Sequence, residues 1–165
     1  LALGDALAMT LMKRKGHTPD DFAVNHPAGR LGKRLTLKVE DLMHSGNQNP
    51  TIPSEAGWVA VVQAISNGGL GAVNVINSNG HLIGIITDGD LRRAMQRLDQ
   101  ASAADLKCDE IMTGNPVIAK PELLAYDALR LMEDRPSQIS VLPVVDGDGV
   151  CVGLIRLHDI VRSGL

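Results

Sequence analysis

The chain opens with a stripe of apolar residues at helical spacing. Leu3, Leu7 and Leu11 recur every four residues, which places them on one face of a helix. The basic run that follows, and then Gly16, are typical of the end of a helix. The sequence offers this predicted helix no adjacent sheet on which to pack, and the chain begins with Leu rather than Met. We therefore expect a fragment whose opening helix belongs with an upstream domain.

A second, shorter helix is predicted directly afterwards. Thr18 suits the N-cap, Pro19 suits the first helical position, and acidic residues follow in the first turn. We expect this helix to run to about Asn25. Residues 26–33 are rich in turn formers and predict a loop or linker.

From about residue 39 onward the chain repeats itself. Landmark residues recur in the same order at a constant offset of 69 residues. The pairs are Met43 and Met112, Gly84 and Gly153, and Asp90 and Asp159. An Asn-Pro marker at 49–50 and 115–116 has an offset of 66, so a small insertion or deletion separates the copies. The repeat predicts two similar units.

Each copy has the same order of predicted elements. A short helix ends at the Met, a Pro-containing extended segment follows, and then come an amphipathic helix, two β-branched runs and a closing helix. The predicted ranges are 57–66, 72–76, 82–86 and 90–98 in copy one, and 123–134, 140–145, 151–155 and 159–163 in copy two. Asn-Gly and Asp-Gly between the paired runs predict two β-hairpins.

These elements predict an α+β fold made of two β-α-β-β-α repeats. A copy of about 60 residues buries too little surface on folding to be more than marginally stable alone. We therefore expect the exposed sheet faces of the two copies to pack together as a pseudo-twofold pair. Such a pair has two equivalent clefts between its copies.

Composition narrows the classes of function. Of the 165 residues, 44% are hydrophobic and 21% are charged, and the formal net charge is −3. The aromatic residues are only Phe22, Trp58 and Tyr126. Nucleic-acid binders need a basic surface or aromatic platforms, so nucleic acid is disfavoured as a partner.

The cysteines and the apolar runs indicate the cellular compartment of the protein. Cys108 and Cys151 have no CxxC partner or histidine cluster nearby, so they are interpreted as reduced thiols of a cytoplasmic protein without a metal site. No apolar stretch approaches the ~20 residues that a membrane-spanning helix needs. We therefore expect no membrane association.

The two repeat signatures resemble those of the CBS pair, also called a Bateman module. Residues 84–90 of copy one match the family pattern of Gly, two apolar residues, Thr or Ser, two residues and Asp. Copy two keeps the Gly and the Asp but has Arg156 where the hydroxyl is expected. The resemblance covers roughly residues 38–165, and it implies CBS domains at 38–103 and 104–165.

The N-terminal residues resemble the tail of the sugar isomerase (SIS) domain of D-arabinose-5-phosphate isomerases. Residues 1–8 and 25–32 carry this similarity, and residues 87–93 carry the TDGDLRR sequence of the CBS pair in that family. The resemblance implies that residues 1–37 are a helical remnant of the isomerase domain. It also implies that the parent enzyme interconverts ribulose 5-phosphate and arabinose 5-phosphate, the first step toward Kdo of lipopolysaccharide and capsule.

His26 falls on the position of that family's catalytic histidine. An imidazole suits proton exchange during enediol formation because it titrates near neutral pH. The resemblance places the sugar-phosphate loop and the other catalytic residues upstream of Leu1. We therefore expect no turnover from this chain alone, although the parent chain is an enzyme.

Thr87 and Asp90 have a structural and a functional interpretation. Thr-x-x-Asp before a helix is close to a capping box. Alternatively, a hydroxyl at a helix N-terminus can meet a phosphate, and an Asp one turn later can accept hydrogen bonds from ribose hydroxyls. The two roles are compatible. In copy two Arg156 cannot cap as Thr does, yet Asp159 persists, which favours a ribose contact.

Further residues complete the candidate ligand-binding set. Arg156 is suited to a phosphate or carboxylate, and Asp159 to ribose hydroxyls. Asp88 lies within the copy-one signature. Arg92 is either a solvated helix residue or an anion contact, and His158 is either a ligand contact or a surface histidine.

The resemblance implies a regulatory module that requires no cofactor. A nucleotide or nucleotide-sugar bound between the copies would alter the isomerase domain of the same chain. CMP-Kdo, the activated end product, fits by feedback logic, with its ribose on Asp90, its phosphate on Thr87 and its carboxylate on an Arg. An adenine nucleotide is the ordinary alternative.

Two other interpretations stay open. The pair could be an assembly module that holds a homo-oligomer together with its clefts empty. The chain could also be catalytic through His26, although no partner acid or phosphate loop is visible.

Overall fold

The computed structural model describes residues 2–16, 30–97 and 106–165 of the protein. Its helices are α1 (Ala2–Arg14), α2 (Arg30–Thr36), α3 (Trp58–Gly68), α4 (Asp88–Arg97), α5 (Cys108–Ile111), α6 (Ala125–Glu133) and α7 (Leu157–Arg162). Its strands are β1 (His44–Ser45), β2 (Thr51–Pro53), β3 (Ala72–Ile76), β4 (Leu82–Thr87), β5 (Thr113–Gly114), β6 (Val141–Val145) and β7 (Cys151–Arg156). Short 3₁₀ turns at Val39–Asp41 and Gly46–Gln48 flank β1.

The strands form two sheets, one centred on each copy. The four-stranded sheet has the order β2-β3-β4-β5, and the three-stranded sheet has the order β1-β7-β6. Strand β2 runs parallel to β3, and the other pairs are antiparallel. The two-residue strands cross between copies, because β1 lies in the opening segment of copy one yet pairs with β7, and β5 lies in the opening segment of copy two yet pairs with β4. The repeat pattern did not predict this exchange.

The two predicted hairpins are confirmed, and their turns have a local cause. The side-chain oxygen of Asn77 accepts hydrogen bonds from backbone N–H groups two and four residues later, at 2.9 and 3.0 Å. Asp146 does the same at 3.0 and 2.9 Å. Gly80 and Gly149 close the turns with φ of +80° and +87°, a region that favours glycine.

The hairpin ends also join the two copies. The backbone N–H of Cys151 donates to the carbonyl of Gly80 at 2.9 Å, and that of Leu82 donates to Gly149 at 3.4 Å. An isolated antiparallel bridge pairs His81 with Val150. These positions are related by the 69-residue offset, as expected for the predicted pseudo-twofold pair.

The prediction of a loop over residues 26–33 is wrong from Arg30 onward, where α2 begins. The helix is held by copy two. Lys33 Nζ donates to the carbonyl of Ser163 at 2.6 Å, and the Arg34 guanidinium lies 4.6 Å from the centre of the Tyr126 ring. Such tertiary contacts outweigh the helix penalty of a glycine, about 1 kcal/mol. The predicted helix ending near Asn25 lies outside the described residues.

The first strand predicted for copy two is reduced to one parallel bridge, between Ala119 and Val144. In copy one the N–H of Asn74 donates to the carbonyl of Pro50 at 2.9 Å, which helps to seat β2 beside β3. The position equivalent to Asn74 in copy two is Pro143, which has no N–H to donate. The substitution therefore shortens the ladder.

Each copy has an apolar core that includes a residue from the opening segment of the other copy. Val39, at the start of copy one, is fully buried in the core of copy two. Cys108, near the start of copy two, is fully buried in the core of copy one. A smaller cluster containing Ile85 and Leu154 lies between the copies. The predicted packing of Met43, Met112 and Met132 in the cores is confirmed.

Helix α1 leaves two of its leucines exposed. Leu7 and Leu11, members of the predicted stripe, are 57% and 50% exposed. Among the described residues, no helix is long and apolar enough to cross a bilayer.

Candidate ligand-binding clefts

The copy-one signature lies where β4 meets α4. Thr87 is the last residue of β4, and Asp88 is the first residue of α4. Thr87 Oγ1 donates to Asp90 Oδ2 at 2.7 Å and accepts from the Asp90 N–H at 3.3 Å, while the Thr87 N–H donates to the same carboxylate oxygen at 2.9 Å. The predicted capping box is therefore present, and it explains why the helix begins here.

Capping leaves one carboxylate oxygen of Asp90 for other partners. Asp90 is only 8% exposed, and its Oδ1 accepts a 2.5 Å hydrogen bond from Arg93. The Arg93 side chain is 57% exposed, so this oxygen is covered by a solvated and displaceable group. A buried carboxylate with one loosely held oxygen is suited to accept hydrogen bonds from a ligand.

Asp90 faces a cavity of about 610 Å³ between the copies, which we call the Thr87 cleft. Copy one lines it with residues that include Gly71, Thr87, Asp88, Asp90 and Arg93. The second repeat and its leading segment line it with residues that include Asn115, Arg135, Ser137, Gln138 and Ser140. The lining carries two acidic and two basic side chains together with several hydroxyl and amide groups.

Sequence reasoning missed Arg135. Its side chain lines the Thr87 cleft, and its Nε atom is inaccessible to solvent and has no hydrogen-bond partner. A buried N–H without an acceptor is costly in the free protein. The sequence signal for it was the Arg-Pro-Ser segment at 135–137, which stands where copy one has Ser66, Asn67 and Gly68 before its hairpin.

The copy-two signature lies at the equivalent junction of β7 and α7, but its bonding differs. Arg156 Nε donates to Asp159 Oδ2 at 2.8 Å, and a terminal nitrogen donates to Oδ1 at 2.8 Å. His44 Nε2 lies 2.9 Å from Asp159 Oδ2. The Arg156 hydrogen bonds lower the pKa of Asp159 against the effect of burial, and the His44 contact adds to this lowering. The same carboxylate raises the pKa of Arg156.

A second cavity of about 540 Å³ lies beside this junction, and we call it the Arg156 cleft. Its lining includes His44, Asn49, Thr51, Asn67 and Leu70, with His44 its one titratable member. Asp159 and Arg156 are not among its lining residues, whereas their copy-one counterparts Asp90 and Thr87 line the Thr87 cleft. The two clefts expected to be equivalent therefore differ in chemistry.

The remaining candidate residues lie at the periphery. Asp88 is exposed and lines the Thr87 cleft. Arg92 and His158 are exposed and line neither cleft. His26 lies outside the described residues. Within the described ranges, no group of three His, Cys, Asp or Glu residues is placed to hold a metal ion.

Comparison with known proteins matches the chain to the CBS domain over residues 39–97 and 108–165. Arabinose 5-phosphate isomerase KdsD of Pseudomonas aeruginosa is 42% identical over 165 residues, which are 100% of this chain and 49% of that protein. The chain thus spans about half the length of the curated relatives it matches.

Solved structures share the architecture. CBSX2, from Arabidopsis thaliana, in complex with AMP has a TM-score of 0.65 at 23% identity and covers 78% of this chain and 96% of its own. The CBS domain pair of MJ0100, in complex with 5′-methylthioadenosine and S-adenosyl-L-methionine, has a TM-score of 0.65 at 25% identity, covering 76% and 93%. Because both repeats match and both signatures lie at equivalent strand–helix junctions, the chain belongs to the CBS domain family, as a tandem pair whose homologues include arabinose 5-phosphate isomerases.

Proposed function

We propose that this CBS pair is a sensor that binds a nucleotide or nucleotide-sugar in the Thr87 cleft. The observation that carries the proposal is the position of Asp90. Its carboxylate is buried, faces a cavity of about 610 Å³ lined by both copies, and has one oxygen covered only by the exposed Arg93. A ligand that bridges the copies stabilises one relative arrangement of them, which is the requirement for a sensor.

Asp90 serves the ribose in this proposal. The two ribose hydroxyls donate to the carboxylate in place of Arg93, whose exposed side chain can return to solvent. The capping bonds from Thr87 occupy Oδ2 and keep the carboxylate oriented. Capping and binding are therefore performed by the same two residues.

The anionic part of the ligand has donors on both sides of the cleft. On one side is the N-terminus of the ten-residue α4, which favours phosphate oxygens. Thr87 lies there too, and its hydroxyl proton, which Asp90 Oδ2 accepts in the free protein, would have to turn to the phosphate. On the other side is Arg135, whose unpartnered Nε is supplied with an acceptor when an anion binds. Asp88, which lines the cleft, contacts the ligand in this proposal. Arg92 stays a proposed contact only for a part of the ligand that extends beyond the lining.

The junction of β7 and α7, which reaches the Arg156 cleft through His44, provides the second set of proposed contacts. Asp159, Arg156 and His158 are the counterparts that would meet a ribose, an anion and the ligand edge. Both oxygens of Asp159 are already hydrogen-bonded, so this set becomes available only when the Arg156–Asp159 pair opens.

Two ligand classes have separate support. MJ0100, at 25% identity, is bound to adenosine derivatives, which supports an adenine nucleotide. The similarity to arabinose 5-phosphate isomerases supports CMP-Kdo, because feedback by the activated end product suits a pathway's first step. CMP-Kdo carries a ribose for Asp90, a phosphate for Thr87 and a carboxylate for Arg135 or Arg93.

In the whole protein, the sensor would regulate a sugar isomerase domain of the same chain. That enzyme would interconvert ribulose 5-phosphate and arabinose 5-phosphate in the cytoplasm, with His26 as a catalytic base of the neighbouring domain. The CBS pair itself needs no cofactor for this role. Ligand-dependent movement between the copies would reach the isomerase through the segment that leads into α2.

Isothermal titration with AMP, CMP and CMP-Kdo tests the proposal. We expect one of them to bind, and Asp90→Asn to weaken binding by about 1–3 kcal/mol, roughly five- to 150-fold in Kd. Asp148→Asn, which removes an exposed carboxylate at a hairpin tip, is the matched control and should leave Kd unchanged. An unchanged Kd in Asp90→Asn, or no binding by any of the three compounds, contradicts the proposal.

A second candidate function is assembly of a homo-oligomer. Val59 on α3 and Met95 on α4 are 62% and 64% exposed, and large apolar side chains of this kind suit a contact with another subunit. Light scattering on Val59→Ser and Met95→Ser distinguishes the functions. Loss of assembly in these variants, together with failure of the native chain to bind the three compounds, would favour the assembly role.

A further inference from the structure

The two copies use different residues at one equivalent position, and the difference changes what their aspartates can bind. Thr87 and Arg156 are separated by the 69-residue repeat offset, and each ends a strand three residues before an aspartate. Thr87 satisfies one oxygen of Asp90 and leaves the other to the exposed Arg93. Arg156 satisfies both oxygens of Asp159 with a two-pronged guanidinium contact.

This guanidinium contact resembles what a ribose would make. A guanidinium presents two parallel N–H donors to a carboxylate, as two vicinal hydroxyls present two O–H donors. His44, from the exchanged strand β1, adds a third contact to Oδ2 at 2.9 Å. Both oxygens of Asp159 thus have protein partners, and Asp159 is not among the residues that line the Arg156 cleft.

Arg156 is also held across the boundary between the copies. Its second terminal nitrogen donates to the carbonyl of Gly69, in copy one, at 3.4 Å. The arginine side chain is 26% exposed, against 57% for Arg93. Displacing Arg156 therefore breaks more contacts, in a less solvated place, than displacing Arg93.

We infer that the clefts bind nucleotide unequally, because Arg156 acts as an internal ligand of Asp159 that keeps the Arg156 cleft closed to ribose while the Thr87 cleft stays open. The inference rests on the proposed function, since it concerns where that ligand binds. It identifies Arg156 as the residue that sets the number of ligands per chain. The lowered pKa of Asp159, caused first by its hydrogen bonds from Arg156, agrees with a persistent pair.

Restoring the family signature in copy two tests the inference. Arg156→Thr recreates Thr-x-x-Asp, and Thr is a favourable N-cap, so α7 should keep its start. Titration calorimetry with AMP, CMP and CMP-Kdo should show one ligand per native chain and two per Arg156→Thr chain. Adding Asp90→Asn to Arg156→Thr should return the number to one, now in the Arg156 cleft. Arg162→Thr, which removes an exposed arginine from the same helix, should still bind one.

The outcomes distinguish failure of the inference from failure of the proposed function. If the native chain binds two ligands, the inference is overturned and the proposed function stays in place. The same holds if Arg156→Thr binds one ligand and loses it when Asp90→Asn is added. No binding by any variant to any of the three compounds overturns the proposed function and, with it, the inference.

Discussion

The sulfur of Met43 lies against Gly153, so closely that a Cβ on that glycine would be 2.9 Å from the sulfur. The reciprocal contact, between Met112 and Gly84, would be 2.7 Å. Each methionine lies in the opening segment of one copy and packs on the signature strand of the other. The glycine that opens each CBS signature is therefore required by a contact between the copies, and it holds the exchanged strands β1 and β5 in place.

The first prediction concerns these glycines. Gly84→Ala and Gly153→Ala should each lower the free energy of unfolding by about 1–3 kcal/mol, because the new methyl group meets a methionine and a backbone carbonyl within 3.1 Å. Urea denaturation measures the loss. Gly147→Ala, where an added Cβ has no neighbour within 4 Å, is the control and should change stability little. Equal stability of all three variants would contradict the packing argument.

A second prediction concerns Asn74, which is fully buried between the copies. Its Nδ2 donates to Asn49 Oδ1 at 2.9 Å and to the Gly153 carbonyl at 3.2 Å. Asn74→Asp replaces that donor with an acceptor facing two acceptors, so it should be more destabilising at neutral pH than Asn74→Ala. Thermal unfolding measures the order. An aspartate variant that matches the alanine variant would show that the amide donor is unimportant.

A third prediction follows from the lowered pKa of Asp159. A carboxylate whose pKa in the folded protein lies below its ordinary value of 3.8 stabilises the fold above that pH, and this stability is lost as the pH falls through the folded-state pKa. The difference in unfolding free energy between the native protein and Asp159→Asn should therefore shrink on acidification below about pH 3.8.

The cause of this shift is tested separately. In Arg156→Gln the largest contribution to the lowered pKa is removed, so the Asp159 carboxyl should titrate at higher pH, as read by carbon NMR. Arg130→Gln, which breaks an exposed pair with Asp134, is the control and should leave the Asp159 titration unchanged. A titration that stays in place in Arg156→Gln would assign the shift to His44 instead.

A fourth prediction concerns how α2 docks on copy two. The guanidinium of Arg34 lies over the face of Tyr126, so Tyr126→Leu should cost about 0.5–1 kcal/mol of stability through this contact, while Tyr126→Phe keeps the aromatic face and should cost less. In Arg34→Ala the two Tyr126 variants should differ by less, which a double-mutant cycle measures. Persistence of the full difference would show that the ring acts through other contacts.

Local chemistry accounts for the elements that the sequence predicted well. Asn77 and Asp146 form their turns through their own side chains, and Thr87 with Asp90 forms the cap of α4 within four residues. Helix α2 was missed because its stability comes from contacts such as Lys33 to Ser163, 130 residues apart. A glycine within the helix made the local signal point to a loop.

The residues of the candidate site also divide into those that the sequence predicted and those that it missed. Thr87 and Asp90 were predicted from the signature, and the structure brings them to one cleft. Arg135 was missed because only the packing of copy two beside copy one makes it a lining residue. The pairing of Arg156 with Asp159, three residues apart, was missed because Arg156 was expected to meet a ligand anion instead. The His44 contact was missed because it joins residues 115 positions apart.

The repeat, the hairpins, the helix start at Thr87 and the family can be deduced from the sequence, because each depends on residues within a few positions of one another or on a repeated spacing. The exchange of strands between the copies and the side chains that line each cleft are known only from the folded structure. Those features depend on distances between groups far apart in the chain, and packing sets such distances where neither periodicity nor turn chemistry encodes them.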